Sequence, residues 1–385
     1  IEIRADENNN WLNLTSNDFD DLNPLTDRSG KGRSVFALTT NAVNTARDEW
    51  VYDFDSAALQ SRMRFAVDEF NREHARWRGV KKLNRELLSE KLKWSEGLLN
   101  NVTCAPAPGV SATAIIQAHY RPFVSMSYYA EVTFSDRLTR NHLELFGASL
   151  DRRTPCVAIS APGNAATFRT LASDRLCDWH FMGDTQLYGQ YRFSPTGNRI
   201  DNITDWSLAQ FKKHYQPGNG KTAQPITKQA IFHYVYAVLH DPLYREKYAQ
   251  NLKREFPRIP LYGDSEATFW QWAAWGERLM TLHIGYESVE PWPLTRIDVP
   301  DDKARAAGQS PKPALKSDKD AGTITLDSET TLTGVPREAW AYLLGNRCAI
   351  DWVLDQHKEK KPKDPTIRTR FDTYRFADHT DNVIH

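Results

Sequence analysis

Gly218-Asn219-Gly220-Lys221-Thr222 comes closest in residue type to a phosphate site, because Gly-Lys-Thr is the catalytic half of a nucleotide-binding loop. That pattern puts its leading Gly at position 215, which is Tyr215, and no buried strand feeds the segment. It reads as a Gly-rich surface turn. Asp301-Asp302-Lys303 has the residue types of a metal nuclease but no acidic partner on an upstream strand, so it reads as a solvated charge run. His180, His233 and His240 sit beside apolar residues without the clustering a metal needs, and Cys104, Cys156, Cys177 and Cys348 have no CxxC spacing. The polar equipment left over suits duplex DNA, where Arg, Asn and Gln read base edges while Lys and Arg hold phosphates. The candidates are Arg121, Arg137, Arg140, Arg152, Arg153, Gln186, Gln190, Arg192, Arg199, Lys212 and Lys213, with Asn164, Arg169 and Asn198 in the same stretch.

The elements that must position these residues follow from hydrophobic periodicity. Ile231, Tyr234, Val235, Val238 and Leu239 recur at helical spacing; Asp241 then caps a second helix, with Pro242 at its first position, that runs to Phe256 before Pro257. Ser56 caps a helix carrying Leu59, Met63, Val67 and Phe70 on one face, and Leu83, Leu87, Leu88, Leu92 and Trp94 support its partner. Strands are expected at 34–39, 50–54, 114–120, 156–160, 179–182 and 187–193. A further helix carries Phe269, Trp272, Ala273, Gly276, Leu279 and Met280; a hairpin lies near Thr323 and Leu332, and a helical stretch starts at Pro336 and continues through Trp340, Leu343, Ile350 and Val353. The expected class is α+β, with a strand-rich mixed central region flanked by helical segments. Its divisions are 1–55, a connector with a strand hairpin; 56–105, a helical hairpin; 106–225, the central recognition region; 226–300, a helical region; 301–322, a linker or insertion; and 323–385, a hairpin plus helices.

A length of 385 residues allows two or three packed units. The 49 basic and 49 acidic residues cancel, but Arg62, Arg64, Arg72, Arg76, Arg78, Lys81, Lys82, Arg85, Lys91 and Lys93 crowd one stretch, so a local basic surface is expected. No apolar run reaches the ~20 residues that span a bilayer, and the thiols fit a reducing compartment, which gives a soluble cytoplasmic protein as the expectation. The opening Ile, in place of Met, reads as the start of a piece of something larger.

Four segments in order resemble one family. They are Thr45-Ala46-Arg47-Asp48-Glu49-Trp50-Val51-Tyr52-Asp53-Phe54; Tyr120-Arg121-Pro122-Phe123; Ile226 to Tyr262; and Gly334-Val335-Pro336 with Tyr342, Gly345, Arg347, Asp351, Trp352 and Gln356. Together they resemble the C-terminal specificity domain of Type ISP restriction-modification enzymes, with Ala46 standing where the family has Asn and Ser127-Tyr128-Tyr129 a loose form of its aromatic run. The resemblance implies a target-recognition domain that binds double-stranded DNA and presents an adenine to an upstream methyltransferase domain. It also implies a helicase-type ATPase and a nuclease in the parent enzyme, which would use S-adenosylmethionine, ATP and Mg. The family's methyltransferase turn, Asn-Pro-Pro-Tyr, is not matched by Leu22-Asn23-Pro24-Leu25, so no catalytic residue, cofactor site or metal site is expected in this segment. The rival expectation is a protein-interaction or coupling module with little direct DNA contact. Tyr120-Arg121-Pro122-Phe123 is expected to be a structural junction carrying a DNA-facing Arg121.

Overall fold

The computed structural model describes residues 16–27, 32–163, 167–216 and 224–385. Helices alternate with small sheets whose ladders are all antiparallel, the α+β class expected. The described chain forms two compact units, one drawn from 1–41, 153–174 and 182–285, the other from 42–152, 175–181 and 286–385. The 106–225 stretch is therefore shared between them.

In the first unit a four-stranded sheet runs in the order Thr40–Asn41, Thr185–Gly189, Cys156–Ser160, Thr170–Ser173. Every residue of the last three strands is buried, so both faces of this sheet are covered. Its cover includes the helix Lys228–His240, whose residues Ala230 to Leu239 are all buried, a helix apolar all round rather than on one face. Thr227 caps it, and Asp241 accepts from Leu243 N at 3.0 Å to start the helix Pro242–Lys247. The second helix is interrupted at Tyr248, which leaves helical geometry while its ring packs on Phe19 and its hydroxyl donates to Asp18; helix resumes over Ala249–Arg254. The expected helix around Phe269 is Glu266–Ile284. It crosses Lys228–His240 so closely that a Cβ on Gly276 would lie 1.8 Å from the carbonyl oxygen of His233. The strand expected over 34–39 reduces to a bridge between Phe36 and Ile203 followed by Thr40–Asn41.

In the second unit the helix Ser56–Trp77 buries Leu59, Met63, Val67 and Phe70 as expected, but its cap is Asp55, one residue before Ser56. No helix forms over Leu83 to Trp94, where a 3-10 turn, Arg85–Leu87, is followed by a loop tied by Trp94 Nε1 donating to Ser89 O at 2.8 Å. The partner helix is Glu96–Cys104, capped by Ser95. Tyr52–Asp53, Val124–Tyr129 and Ile115–Arg121 form a three-stranded sheet, while Asp48–Val51 is one helical turn and 179–182 is a turn, not a strand. Residues 301–322, expected as a linker, carry the helix Asp302–Ala306 and the strand Pro313–Asp318. That strand completes a sheet of order Thr295–Asp298, Thr330–Thr333, Thr323–Asp327, Pro313–Asp318 over a small core of Leu315, Leu326, Leu332 and Leu354. The helical stretch after Pro336 is split into Arg337–Ala341 and Ala349–Gln356 by a hairpin whose turn begins at Gly345, φ 75, a conformation that glycine adopts without strain.

Candidate nucleic-acid interface

Chain geometry after the strand Thr185–Gly189 produces the most distinctive exposed element of the first unit. Gln190 N donates to Pro155 O at 2.7 Å, and the buried Asn202 side chain donates to Gly189 O and Leu38 O, both at 2.8 Å, while accepting from Leu38 N. These bonds fix the base of a two-stranded ribbon, Tyr191–Phe193 paired with Arg199–Asp201. Its five-residue loop closes with Ser194 N donating to Asn198 O at 2.9 Å and Gly197, φ 83, donating to Ser194 O. Register puts Tyr191, Phe193, Arg199 and Asp201 on one face and Arg192 with Ile200 on the other. The Arg199 guanidinium lies 4.3 Å over the Tyr191 ring, whose hydroxyl accepts from Gln190 Nε2 at 3.0 Å. Three residues on, Thr204 caps the helix Asp205–Tyr215, and Lys212 and Lys213 are exposed in its last turn, where cations complement the helix dipole.

The remaining candidates are placed less favourably. Gln186 and Gln190 expose only 7% and 5% of their surface, and Gln186 spends its amide on Thr39 Oγ1 at 2.7 Å, so neither reaches a base edge; both belong to a buried strand and its end rather than to a loop. Arg153 is exposed but pairs with Asp174 at 3.1 Å, and the moderately buried Arg169 lies beside Ser160. In the second unit Arg140 pairs with Glu144 at 2.9 Å, Arg137 lies 4.0 Å from Asp136, and Arg152 runs along Gly147, close enough that a Cβ there would collide with it. Asn164 and residues 218–222 lie outside the described residues. Half of the ten cations in the basic stretch are ion-paired in place: Arg62 meets Asp53, Arg72 and Lys91 both meet Glu69, Arg76 meets Glu73 and Arg85 meets Glu96. Among the described residues no three acidic, His or Cys side chains converge as a metal site. Asp301 is a helix cap, accepting from Ala304 N at 3.1 Å. No helix among the described residues is long and apolar enough to cross a membrane.

Arg121 requires a correction. Its guanidinium is an ion-pair partner of Asp178, lies 3.6 Å from Asp48 and stacks 3.8 Å from the Tyr120 ring. Tyr120 in turn donates to Asp48 at 3.3 Å and packs on Tyr52. Asp178 is 1% exposed, and burial lifts its carboxyl to about 7 with Asp48 adding to the rise and Arg121 opposing it. A side chain so committed is spent inside the fold, which argues against the expected exposed, DNA-facing Arg121. Asp48 with Tyr52, Tyr120 with Arg121, and Asp178, from three segments well separated in sequence, thus meet in one network. Arg47 is similarly buried, donating to Phe134 O at 2.8 Å and to Ser95 Oγ, with burial lowering its pKa to about 10. Trp50 Nε1 donates to Asp364 at 2.8 Å. Sequence reasoning overlooked Asp178, Asn202 and the ring of Tyr191; the turn signal Pro195 with Gly197-Asn198, between Phe193 and Arg199, marks the ribbon that presents that ring.

The family model of the Type ISP C-terminal specificity domain matches residues 34–385. A cryo-EM structure of a DrdV–DNA complex is 37% identical with a TM-score of 0.88, covering 100% of this chain and 38% of that one. A nuclease-deletion mutant of the Type ISP restriction-modification enzyme LlaGI, in complex with a DNA substrate mimic, is 25% identical with a TM-score of 0.77, covering 99% of this chain and 34% of that one. The ATP-dependent Type ISP enzyme LlaBIII, bound to DNA, shares the fold at 21% identity and a TM-score of 0.77, covering 94% of this chain and 23% of that one. The chain therefore spans well under half the length of each. No curated protein matches it in sequence.

Proposed function

The chain belongs to the Type ISP C-terminal specificity domain family, and from that premise we propose that it recognises one duplex DNA sequence and presents an adenine within it to a methyltransferase domain of the same polypeptide. The observation that carries this reading is the likeness, over the whole of this chain and 38% of the other at 37% identity, to a protein whose structure holds DNA. Its physical support is the ribbon and helix of the first unit, which expose Arg199, Lys212 and Lys213 within one short stretch of chain. Base contacts would supply specificity and phosphate contacts affinity. In this reading the segment makes and breaks no bonds, and S-adenosylmethionine, ATP and Mg serve methyltransferase, helicase and nuclease domains elsewhere in the parent.

A coupling role alongside recognition is favoured by one feature of the second unit. The edge strand Thr295–Asp298 is exposed at all four positions, and the exposed apolar side chains Trp292, Ile297 and Val299 lie on and beside it next to the Arg296–Asp298 pair, an open edge suited to another domain. Methylome sequencing of cells with and without the gene tests the recognition reading. One sequence context should gain methyladenine when the gene is present, and the absence of any new methylated context overturns it.

A further inference from the structure

We infer that Arg199 is a base-reading side chain that donates in bidentate fashion to the O6 and N7 of a guanine in the target, held in position by Tyr191 and Gln190. The inference rests on the recognition reading above and deepens it by naming the residue, the base and the groove.

The arginines differ in how they spend their donors. A guanidinium has five N–H groups in its plane, and a carboxylate partner occupies that edge. Arg121, Arg140 and Arg153 have carboxylate partners at ion-pair distance, and Arg137 has one at the limit of that range. Among the described residues no carboxylate pairs with Arg199, whose one recorded partner is the face of the Tyr191 ring. Stacking uses the flat face of the cation and leaves the donor edge open. Two parallel N–H groups on that edge match the paired acceptors that guanine shows in the major groove and that no other base shows.

The scaffold supports the same assignment. A two-stranded ribbon is one of the elements that a groove about 12 Å wide admits. This ribbon is exposed along Arg199–Asp201, is closed at its tip by backbone bonds, and is anchored at its base by Asn202, which is wholly buried. Gln190, itself buried, donates to the Tyr191 hydroxyl and so fixes the ring that fixes the guanidinium. Arg192, on the opposite face of the ribbon beside Ile200, does not share this geometry. Gln190 therefore enters as a positioning residue, two contacts removed from the base.

The test is selection of random duplexes by the full-length protein and its variants, with each selected pool sequenced. The wild type should select a defined motif. Arg199→Ala and Arg199→Lys should both lose the preference for guanine at one position, by about 5- to 150-fold, the equivalent of a good bidentate pair, with other positions unchanged. Tyr191→Leu should weaken that preference and Tyr191→Phe should retain most of it. If Arg199→Ala weakens every sequence equally, the residue holds a phosphate and the assignment fails. If Arg199→Lys preserves the guanine preference, a point charge suffices and the bidentate geometry fails. A wild type that selects no motif overturns the recognition reading itself, and the Arg199 assignment with it, a result distinct from a wild-type motif that Arg199→Ala leaves intact.

Discussion

A buried carboxylate beside a buried guanidinium is favourable only while both are present, and Asp178 with Arg121 is such a pair. Arg121→Ala should therefore destabilise the protein above pH 7, where Asp178 is ionised, by up to ~3–5 kcal/mol, the usual cost of leaving a buried charge unpaired, as read from the denaturant midpoint, and by less at lower pH, where the carboxyl takes up a proton; Arg121→Ala combined with Asp178→Asn should recover part of the loss. A single variant as stable as the wild type would show that Arg121 is free to act elsewhere. The same carboxyl has a pH signature. Burial raises it from 3.8 to about 7, so the native state binds its proton more tightly than the unfolded chain does. Its contribution is fully present below about pH 4 and is lost as pH rises through 7. Arg121, Asp48, Tyr52 and the His180 N–H face this group. Buried His240 and His283 act with the opposite sign, since burial lowers both, His283 to about 4, and their contribution is lost as pH falls below 6.5. The readout is thus a difference: stability of the wild type minus that of Asp178→Asn should fall between pH 4 and 7. A flat difference across that window would contradict the burial argument.

At the scale of elements, the crossing of Lys228–His240 with Glu266–Ile284 sets the packing of the first unit. Alanine in a helix interior is intrinsically better than glycine by ~1 kcal/mol, yet at Gly276 a Cβ would meet the His233 carbonyl at 1.8 Å, and that contact is backbone, which cannot swing away. Overpacking should win, with Gly276→Ala costing at least ~2 kcal/mol net in thermal or chemical denaturation; a stabilised variant would mean the helices separate readily. Gly276 was legible in the sequence as a member of an apolar helix face, as were Asp241-Pro242, Ile115–Arg121 and Cys156–Ser160, because each carries its signal in neighbouring residues. The i,i+3 pairs Glu69 with Arg72 and Glu73 with Arg76 were equally open to inspection, and they account for part of the basic run that proved neutralised. What local pattern could not give was set by distant partners. Gln186 is buried because Thr39 accepts its amide, and Arg121 turns inward because Asp178, 57 residues away, is waiting there. Pro313–Asp318 is a strand, despite its linker-like surroundings, because Thr323–Asp327 pairs with it and Leu315 enters the core. The ribbon was half legible: Arg192 and Arg199 could be named as candidates, but only register shows that Arg199 shares a face with Tyr191.

For the molecule as a whole, equal numbers of basic and acidic residues, 49 of each, remove any net pull toward a polyanion. Affinity for DNA must then come from local groups of cations that lie outside ion pairs, and it should depend on salt. Contact with about 5 phosphates gives a slope of roughly −4 to −5 in log affinity against log salt. Lys212 and Lys213, exposed in the last turn of their helix, should each account for one phosphate. Replacing both, as Lys212→Gln with Lys213→Gln, should shrink the slope by about 2 and weaken target and random duplexes alike, whereas Arg199→Ala should narrow the gap between the two. Equilibrium binding at a series of salt concentrations, on target and scrambled duplexes, separates these effects. Salt-independent binding would remove the electrostatic basis of the interface. A double Lys variant that loses affinity only for the target would mean that the helix reads sequence and the ribbon holds the backbone, reversing the roles that the ion pairs and the Tyr191 ring assign.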